Sequence, residues 1–282
     1  MNEIHTMLRR ARSLFRLLVL LATSLQAGAS FFLRRIRRPL NTAARAEWLH
    51  HWCQVLLHRL GIEIVSDGRF PARGLLASNH LSYLDILVFS ALSPCVFVSK
   101  KEVLSWPLYG WLANMAGTVF VDRASSADAH RVSGLMSAVL AEGIVVVLFP
   151  EGTSTNGSSV LRFHAALFES AIATREPVAA ARIGYSVKEG SVETDVCYWG
   201  TMTFLPHVLR FLAQRGVRAT VRFGADARTY EERRVAANAT HDLVVALGFP
   251  GGDPETGRLL RPSGNAASNI RAYPRTDPES SP

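Results

Sequence analysis

Residues 144–149 read IVVVLF, six apolar residues without a break. A run of this length, rich in β-branched side chains and set between Gly143 and Pro150, is expected to be a strand buried on both faces. Burial on both faces requires helices above and below the sheet, and sheets covered in that way are largely parallel. The rest of the chain fits this frame. Short apolar or alternating runs at 62–65, 74–78, 95–99, 117–121, 178–183, 192–199 and 220–223 are expected strands. Helical patterns fall at 83–92, 106–115, 127–142, 162–173, 205–215 and 230–247, with Ser93-Pro94 and Gly143 ending two of them. The expected fold class is α/β: a mixed, largely parallel sheet covered by helices.

Charge divides the chain unevenly. Residues 1–61 carry ten arginines against Glu3 and Glu47, and the remaining bases and acids cancel, so the whole net charge of +8 lies in the first fifth. Such asymmetry points to a surface that meets something anionic. Within it lies LLVLLATSLQAGASFFL, residues 17–33, uncharged and near the ~20 residues a bilayer span needs. Arginines flank both ends, so the positive-inside rule gives no orientation. A helix lying in one leaflet, a single span and a buried core helix all remain open. A cleaved signal peptide does not fit, since no small-residue site opens onto a polar start. Residues 43–60 follow with helical spacing, and Trp48, Trp52, Val55, Leu56 and Leu60 can share a face; tryptophans there suit a membrane interface and a core helix equally.

Other classes recede. Cys53, Cys95 and Cys197 stand far apart in no CxxC pattern, so neither a disulfide framework nor a zinc knuckle is expected. His50, His51, Cys53 and His58 lack an acidic partner to complete a metal site. The arginine excess over lysine is read as compositional, and no nucleic-acid partner is expected. There is no GxSxG elbow and no glycine-rich phosphate loop after a strand.

Three strand ends carry chemistry. SNHLSYLD, residues 78–85, follows the strand at 74–78. Ser82 and Asp85 form a capping box for the next helix, Ser82 as N-cap and Asp85 at the third position. That accounts for Asp85 without accounting for His80. A carboxylate in a first helical turn can also hold Nδ1 of a nearby histidine and leave Nε2 as a base. FPEGTS, residues 149–154, ends the IVVVLF strand and brings Glu151 and the hydroxyls of Thr153 and Ser154 to the same sheet edge if the strands are parallel. GTVFVDR, residues 117–123, ends on Asp122-Arg123, either a surface ion pair or a guanidinium placed to grip an anion. Lys100 and Lys101 follow another strand.

Together these blocks resemble the glycerolipid acyltransferases. NHLSYLD is similar to their NHxxxxD signature, GTVFVDR to their Gly-x-x-Phe-x-x-Arg block and FPEGTS to their FPEGT block, in the family's order. The likeness covers about residues 60–225 and is nearest in style to bacterial 1-acyl-sn-glycerol-3-phosphate acyltransferases and lyso-ornithine-lipid acyltransferases. It implies His80 as general base toward a lysolipid hydroxyl and Asp85 as the group that holds and polarises it. Arg123, Glu151, Gly152 and Thr153, with Lys100, would bind the acceptor's head. The acyl donor would be acyl-CoA or acyl-carrier protein, used as co-substrate, with no cofactor and no metal. Members that form phosphatidic acid often read FPEGTRS; here Ser154 stands where that arginine is expected.

The expected organisation is a basic helical membrane-associating region at 1–60, an acyltransferase α/β domain at 61–249 and a disordered tail at 250–282. The expected function is acyl transfer to a lysolipid, 1-acyl-sn-glycerol-3-phosphate first and lyso-ornithine lipid as the alternative. The expected place is the cytoplasmic face of the bacterial inner membrane, monotopic or single-span. The rival of another class is a non-catalytic membrane-binding protein, which needs no intact histidine–aspartate pair.

Overall fold

The computed structural model describes residues 2–37, 39–106, 108–122 and 126–248. Arg123 and the tail at 250–282 lie outside them. Helices α1 (Asn2–Arg37) and α2 (Thr42–Leu60) lead into an α/β succession. Its strands are β1 (Glu63–Asp67), β2 (Leu75–Ser78), β3 (Val96–Lys100), β4 (Val119–Val121), β5 (Val146–Leu148), β6 (Val178–Ser186) and β7 (Arg218–Phe223). Its helices are α3 (Leu84–Leu92), α4 (Tyr109–Met115), α5 (Ser126–Ala141), α6 (Glu169–Thr174), α7 (Val192–Asp195), α8 (Phe204–Leu212) and α9 (Arg233–Ala246). Single 3-10 turns occupy Lys101–Ser105 and Ala165–Phe168.

The strands form one seven-stranded sheet in the order β1-β7-β6-β2-β5-β3-β4. Every pairing is parallel except β6 with β7. The IVVVLF run supplies β5, wholly buried and paired to β2 and β3, as its composition requires. Strand alternation sends Leu76 and Val147 to one core and Leu75, Val146 and Leu148 to the other. The first core takes Leu57 and Leu60 of α2, Val88 and Phe89 of α3, and Phe211 of α8. The second takes Met136 and Leu140 of α5, Ala171 of α6 and Val244 of α9. Each fully buried leucine or phenylalanine among these contributes about 1.5–3 kcal/mol of transfer free energy.

Two sequence expectations are corrected. Residues 192–199 are not a strand: Ser191 caps a short helix, its hydroxyl accepting from Thr194 N–H, and an irregular segment follows. Alternation around Val192, Val196 and Tyr198 imitated a strand, but Ser191 offered a better helix start. The helix expected from residue 162 begins later, in the turn at Ala165–Phe168.

The N-terminal arginines also have a task that charge counting hid. Arg12 and Arg16 donate to the carbonyls of Leu212, Ala213 and Gln214, and Ser13 donates to the carbonyl of Leu209. They satisfy the orphan acceptors at the C-terminal end of α8 and favour its dipole. Further along α1, Leu20, Ala27 and Phe31 are buried, and Ser30 accepts from the indoles of both Trp48 and Trp52. These tryptophans therefore staple α2 to α1. The opposite face of α1 is apolar and exposed, with Ile4, Leu8, Phe15, Leu18, Leu25 and Ile36 recurring at helical spacing along its length.

Candidate active site

Because β2 and β5 are parallel, the loops that follow them leave from the same sheet edge. Asn79 continues the ladder after β2 ends: its side-chain amide donates to the carbonyl of Ile183 (3.0 Å) and accepts from its N–H (2.8 Å). A side chain thus takes the place of the next backbone rung, and the main chain is released to turn at His80.

His80 donates Nδ1–H to Oδ2 of Asp85 at 2.7 Å. A carboxylate accepts only, so the proton lies on Nδ1 and Nε2 of the neutral ring keeps its lone pair. Asp85 is fully buried, and four donors satisfy it. Oδ2 also takes the N–H groups of Leu81 (2.7 Å) and Ser82 (3.0 Å), and Oδ1 takes the hydroxyl of Tyr185 (2.6 Å). Burial, together with the adjacent Asp85 charge, holds the Tyr185 hydroxyl well above its ordinary pKa, so it stays a donor. The imidazole lies flat on Phe149, centroids 4.2 Å apart at 14°.

Half of the expected capping box is present. The Asp85 carboxylate reaches back to Ser82 N–H, but the helix starts after Tyr83, and the Ser82 hydroxyl is buried without a partner among the described residues. Asp85 has turned its capping capacity to holding the histidine loop.

Glu151 is buried beside this pair. Its Oε1 accepts from the backbone N–H of His80 (2.8 Å) and its Oε2 from that of Leu161 (2.7 Å). Burial raises its pKa, opposed by these two amides and by His80. The resemblance had it holding the acceptor's head; in the structure both oxygens hold main chain. Gly152 turns the chain directly afterwards at φ +76°, a conformation favoured by glycine. Thr155 N–H donates to the His80 carbonyl at 2.9 Å, so the loop after β5 clamps the His80 backbone from both sides.

A cavity of about 260 Å³ opens beside His80. Its lining includes Lys100, Gly152, Thr153 and Ser154 from the C-terminal ends of β3 and β5, and Thr118 from the start of β4. Lys101 instead pairs with Asp122 at 3.6 Å. Its apolar end runs between α1, α2 and α4, along Leu20, Ala27, Trp48, Leu56 and Leu112. His80, Lys100, Gly152 and Thr153 are therefore brought to one cavity, Asp85 and Glu151 stand behind them, and Arg123 lies outside the described residues. The sequence reading gave no role to Asn79, Tyr185 or Tyr198. Tyr198 lines the cavity from the segment mistaken for a strand; Tyr185 sits in β6, where an inward tyrosine looks like any core residue.

The fold and this pair define a class: α/β proteins that present a histidine–carboxylate dyad at the edge of a mostly parallel sheet, beside an apolar cavity. The Acyltransferase family model matches residues 61–184. The chain is 35% identical over 223 residues to a lyso-ornithine lipid O-acyltransferase of Pseudomonas aeruginosa, covering 78% of this chain and 83% of that protein. It is 40% identical over 192 residues to a 1-acyl-sn-glycerol-3-phosphate acyltransferase of Neisseria gonorrhoeae, covering 67% and 74%. The fold is similar to that of the 1-acyl-sn-glycerophosphate (LPA) acyltransferase PlsC from Thermotoga maritima, with a TM-score of 0.62 at 16% identity over 86% of this chain and 97% of that one. The chain belongs to the acyltransferase family.

Proposed function

We propose that this protein transfers a fatty acyl group from an acyl thioester, acyl-CoA or acyl-carrier protein, to the free hydroxyl of a lysolipid. The observation that carries the reading is the 2.7 Å contact of His80 Nδ1 with a fully buried Asp85, with His80 on the wall of an apolar cavity. His80 Nε2 takes the hydroxyl proton as the oxygen attacks the thioester carbonyl carbon. The tetrahedral adduct collapses, the carbon–sulfur bond breaks, and the departing thiolate takes the proton back from the imidazolium. Asp85 stabilises that cation, as in a serine–histidine–aspartate triad whose serine is replaced by the substrate's own hydroxyl. Glu151 is a positioning residue for His80, and Lys100 supplies positive charge to the acceptor's anionic group. The apolar end of the cavity takes an acyl chain.

The acceptors named for the relatives divide into two kinds. The 40% identity to the Neisseria protein supports 1-acyl-sn-glycerol-3-phosphate. Ser154 supports lyso-ornithine lipid: its hydroxyl is bonded to the Tyr198 carbonyl where the resemblance expects a phosphate-binding arginine. The outer face of α1 supports a monotopic association with one leaflet of a membrane. The helix is long and apolar enough to span, but its other face is spent on the domain. Purified protein with labelled acyl-CoA or acyl-carrier protein, offered both lysolipids in parallel, tests the proposal. Transfer to at least one is expected, and transfer to neither refutes it.

A further inference from the structure

Tyr198 is built into the catalytic loop. Its backbone N–H donates to the carbonyl of Leu81 (2.8 Å), and its carbonyl accepts from the Ser154 hydroxyl. Leu81 follows His80 and Ser154 follows Thr153, so the main chain of Tyr198 is held between the two blocks that form the site. Its ring lines the same cavity as His80. Trp106 lines that cavity too, and the two rings stand at 88° with centroids 6.1 Å apart. Phe204, outside the cavity wall, packs against Trp106 at 4.6 Å and fixes the indole in place. The two rings meet edge to face, and Tyr198 also packs on Tyr83 at 5.6 Å; the ring surface that each leaves to the cavity makes a corner that attracts a cation held within about 6 Å of a centroid.

The charges around the cavity sharpen what this corner can take. Among the described residues no carboxylate lines the cavity, and Lys100 is its basic side chain. An anion there is drawn to the Lys100 ammonium; a cation is repelled by it and finds hydroxyls and ring faces instead. We propose that Trp106 and Tyr198 form a subsite for an ammonium group on the acceptor's head, and that this head carries an ammonium and a carboxylate together. The carboxylate goes to Lys100 and the ammonium to the aromatic corner. Ser154 permits this arrangement: an arginine at its position would bring a second positive charge beside the corner, whereas the serine anchors Tyr198. A phosphate monoester carries no cation and gains nothing from the two rings. The inference rests on reading the protein as a lysolipid acyltransferase.

The test compares kcat/KM for lyso-ornithine lipid and for its derivative acetylated on the side-chain amine, with one acyl thioester donor. The trimethylated amine, which keeps the charge and adds bulk, and 1-acyl-sn-glycerol-3-phosphate are run beside them. Wild type is expected to favour the two charged forms over the acetylated one by about 3–30-fold. Trp106→Leu is expected to bring that ratio close to one, and Trp106→Phe to retain part of it. The ratio is taken within each protein, so a general loss of activity in a variant leaves it readable; Tyr198→Leu repeats the test if Trp106→Leu does not fold. Equal kcat/KM for charged and acetylated forms, a ratio unmoved in Trp106→Leu, or transfer to the phosphate acceptor alone overturns the subsite and leaves acyl transfer standing. Transfer to none of the acceptors overturns the acyltransferase reading itself.

Discussion

Asp85→Asn isolates one charge. The carboxylate accepts from three donors on Oδ2 and from Tyr185 on Oδ1. An amide in its place can keep its oxygen toward His80, Leu81 and Ser82 and turn its NH2 to Tyr185, whose hydroxyl accepts as well as it donates. The His80 tautomer then survives, and what is lost is the negative charge facing the imidazolium of the transition state. At 2.7 Å and an effective dielectric near 20, one charge pair is worth about 6 kcal/mol at most. Each ~1.36 kcal/mol is a decade in rate, so kcat is expected to fall by about 10³–10⁴-fold. KM for the acceptor should change little, because the charge forms only as the proton moves. Thiol release from the acyl donor gives the rate, and a melting curve gives the fold. Adding Tyr185→Phe leaves the new NH2 buried without an acceptor and should cost a further ~1–3 kcal/mol of stability. A fall in kcat of less than tenfold with the fold intact refutes the reasoning, since His80 would then not carry a proton against Asp85 in the slow step.

Three other perturbations probe the supports of the site. Glu151→Gln places an NH2 against one of two backbone N–H donors; a loss of ~1–3 kcal/mol of stability is expected, read by denaturant midpoint, with kcat falling as His80 loosens. Because burial raises the Glu151 pKa above the ordinary 4.5, the cost of its charge is absent at lower pH and grows as pH rises through the raised value. The variant should lack that part of the pH dependence. His207 is buried, with Nδ1 accepting from Tyr83 and Nε2–H donating to the Cys197 carbonyl, and burial lowers its pKa below 6.5. The unfolded chain takes the proton first, so this stabilisation is complete above 6.5 and is lost as pH falls through the folded value; His207→Gln should flatten that slope in melting temperature. Leu18→Glu with Leu25→Glu alters only the outer face of α1, and vesicle flotation should lose the protein while its activity on detergent-dispersed substrate remains; undiminished binding contradicts the monotopic reading.

The sheet was legible because its strands advertise themselves. IVVVLF has the length, the β-branched composition and the Gly/Pro flanks of a central strand, and with parallel strands the loops after β2 and β5 share an edge. His80 and Asp85 were legible for the same reason, being a short-range pair on a predicted strand-to-helix turn. What escaped are contacts between residues distant in the chain. Tyr185 reaches Asp85 from 100 residues away, and Glu151 reaches the His80 amide from 71. Neither spacing leaves a periodic trace. Tyr198 was hidden by an apolar alternation that a serine cap overrode. In α1, ten arginines nearby suggested lipid contacts, but only three-dimensional packing could show that Arg12 and Arg16 cap α8. That packing also favours point substitutions over deletion as a test of membrane association, because deleting the helix would remove Leu20, Ala27 and the cavity wall with it.

The central claim is that His80 activates the acceptor's hydroxyl directly. The measurement closest to it is transfer of a labelled acyl group by His80→Ala, assayed against wild type at matched folding, with the lysolipid acceptor that wild type uses. Loss of transfer to background is predicted, with no labelled acyl group retained on either protein. Transfer by His80→Ala at the wild-type rate, or a covalently labelled enzyme, would contradict the account.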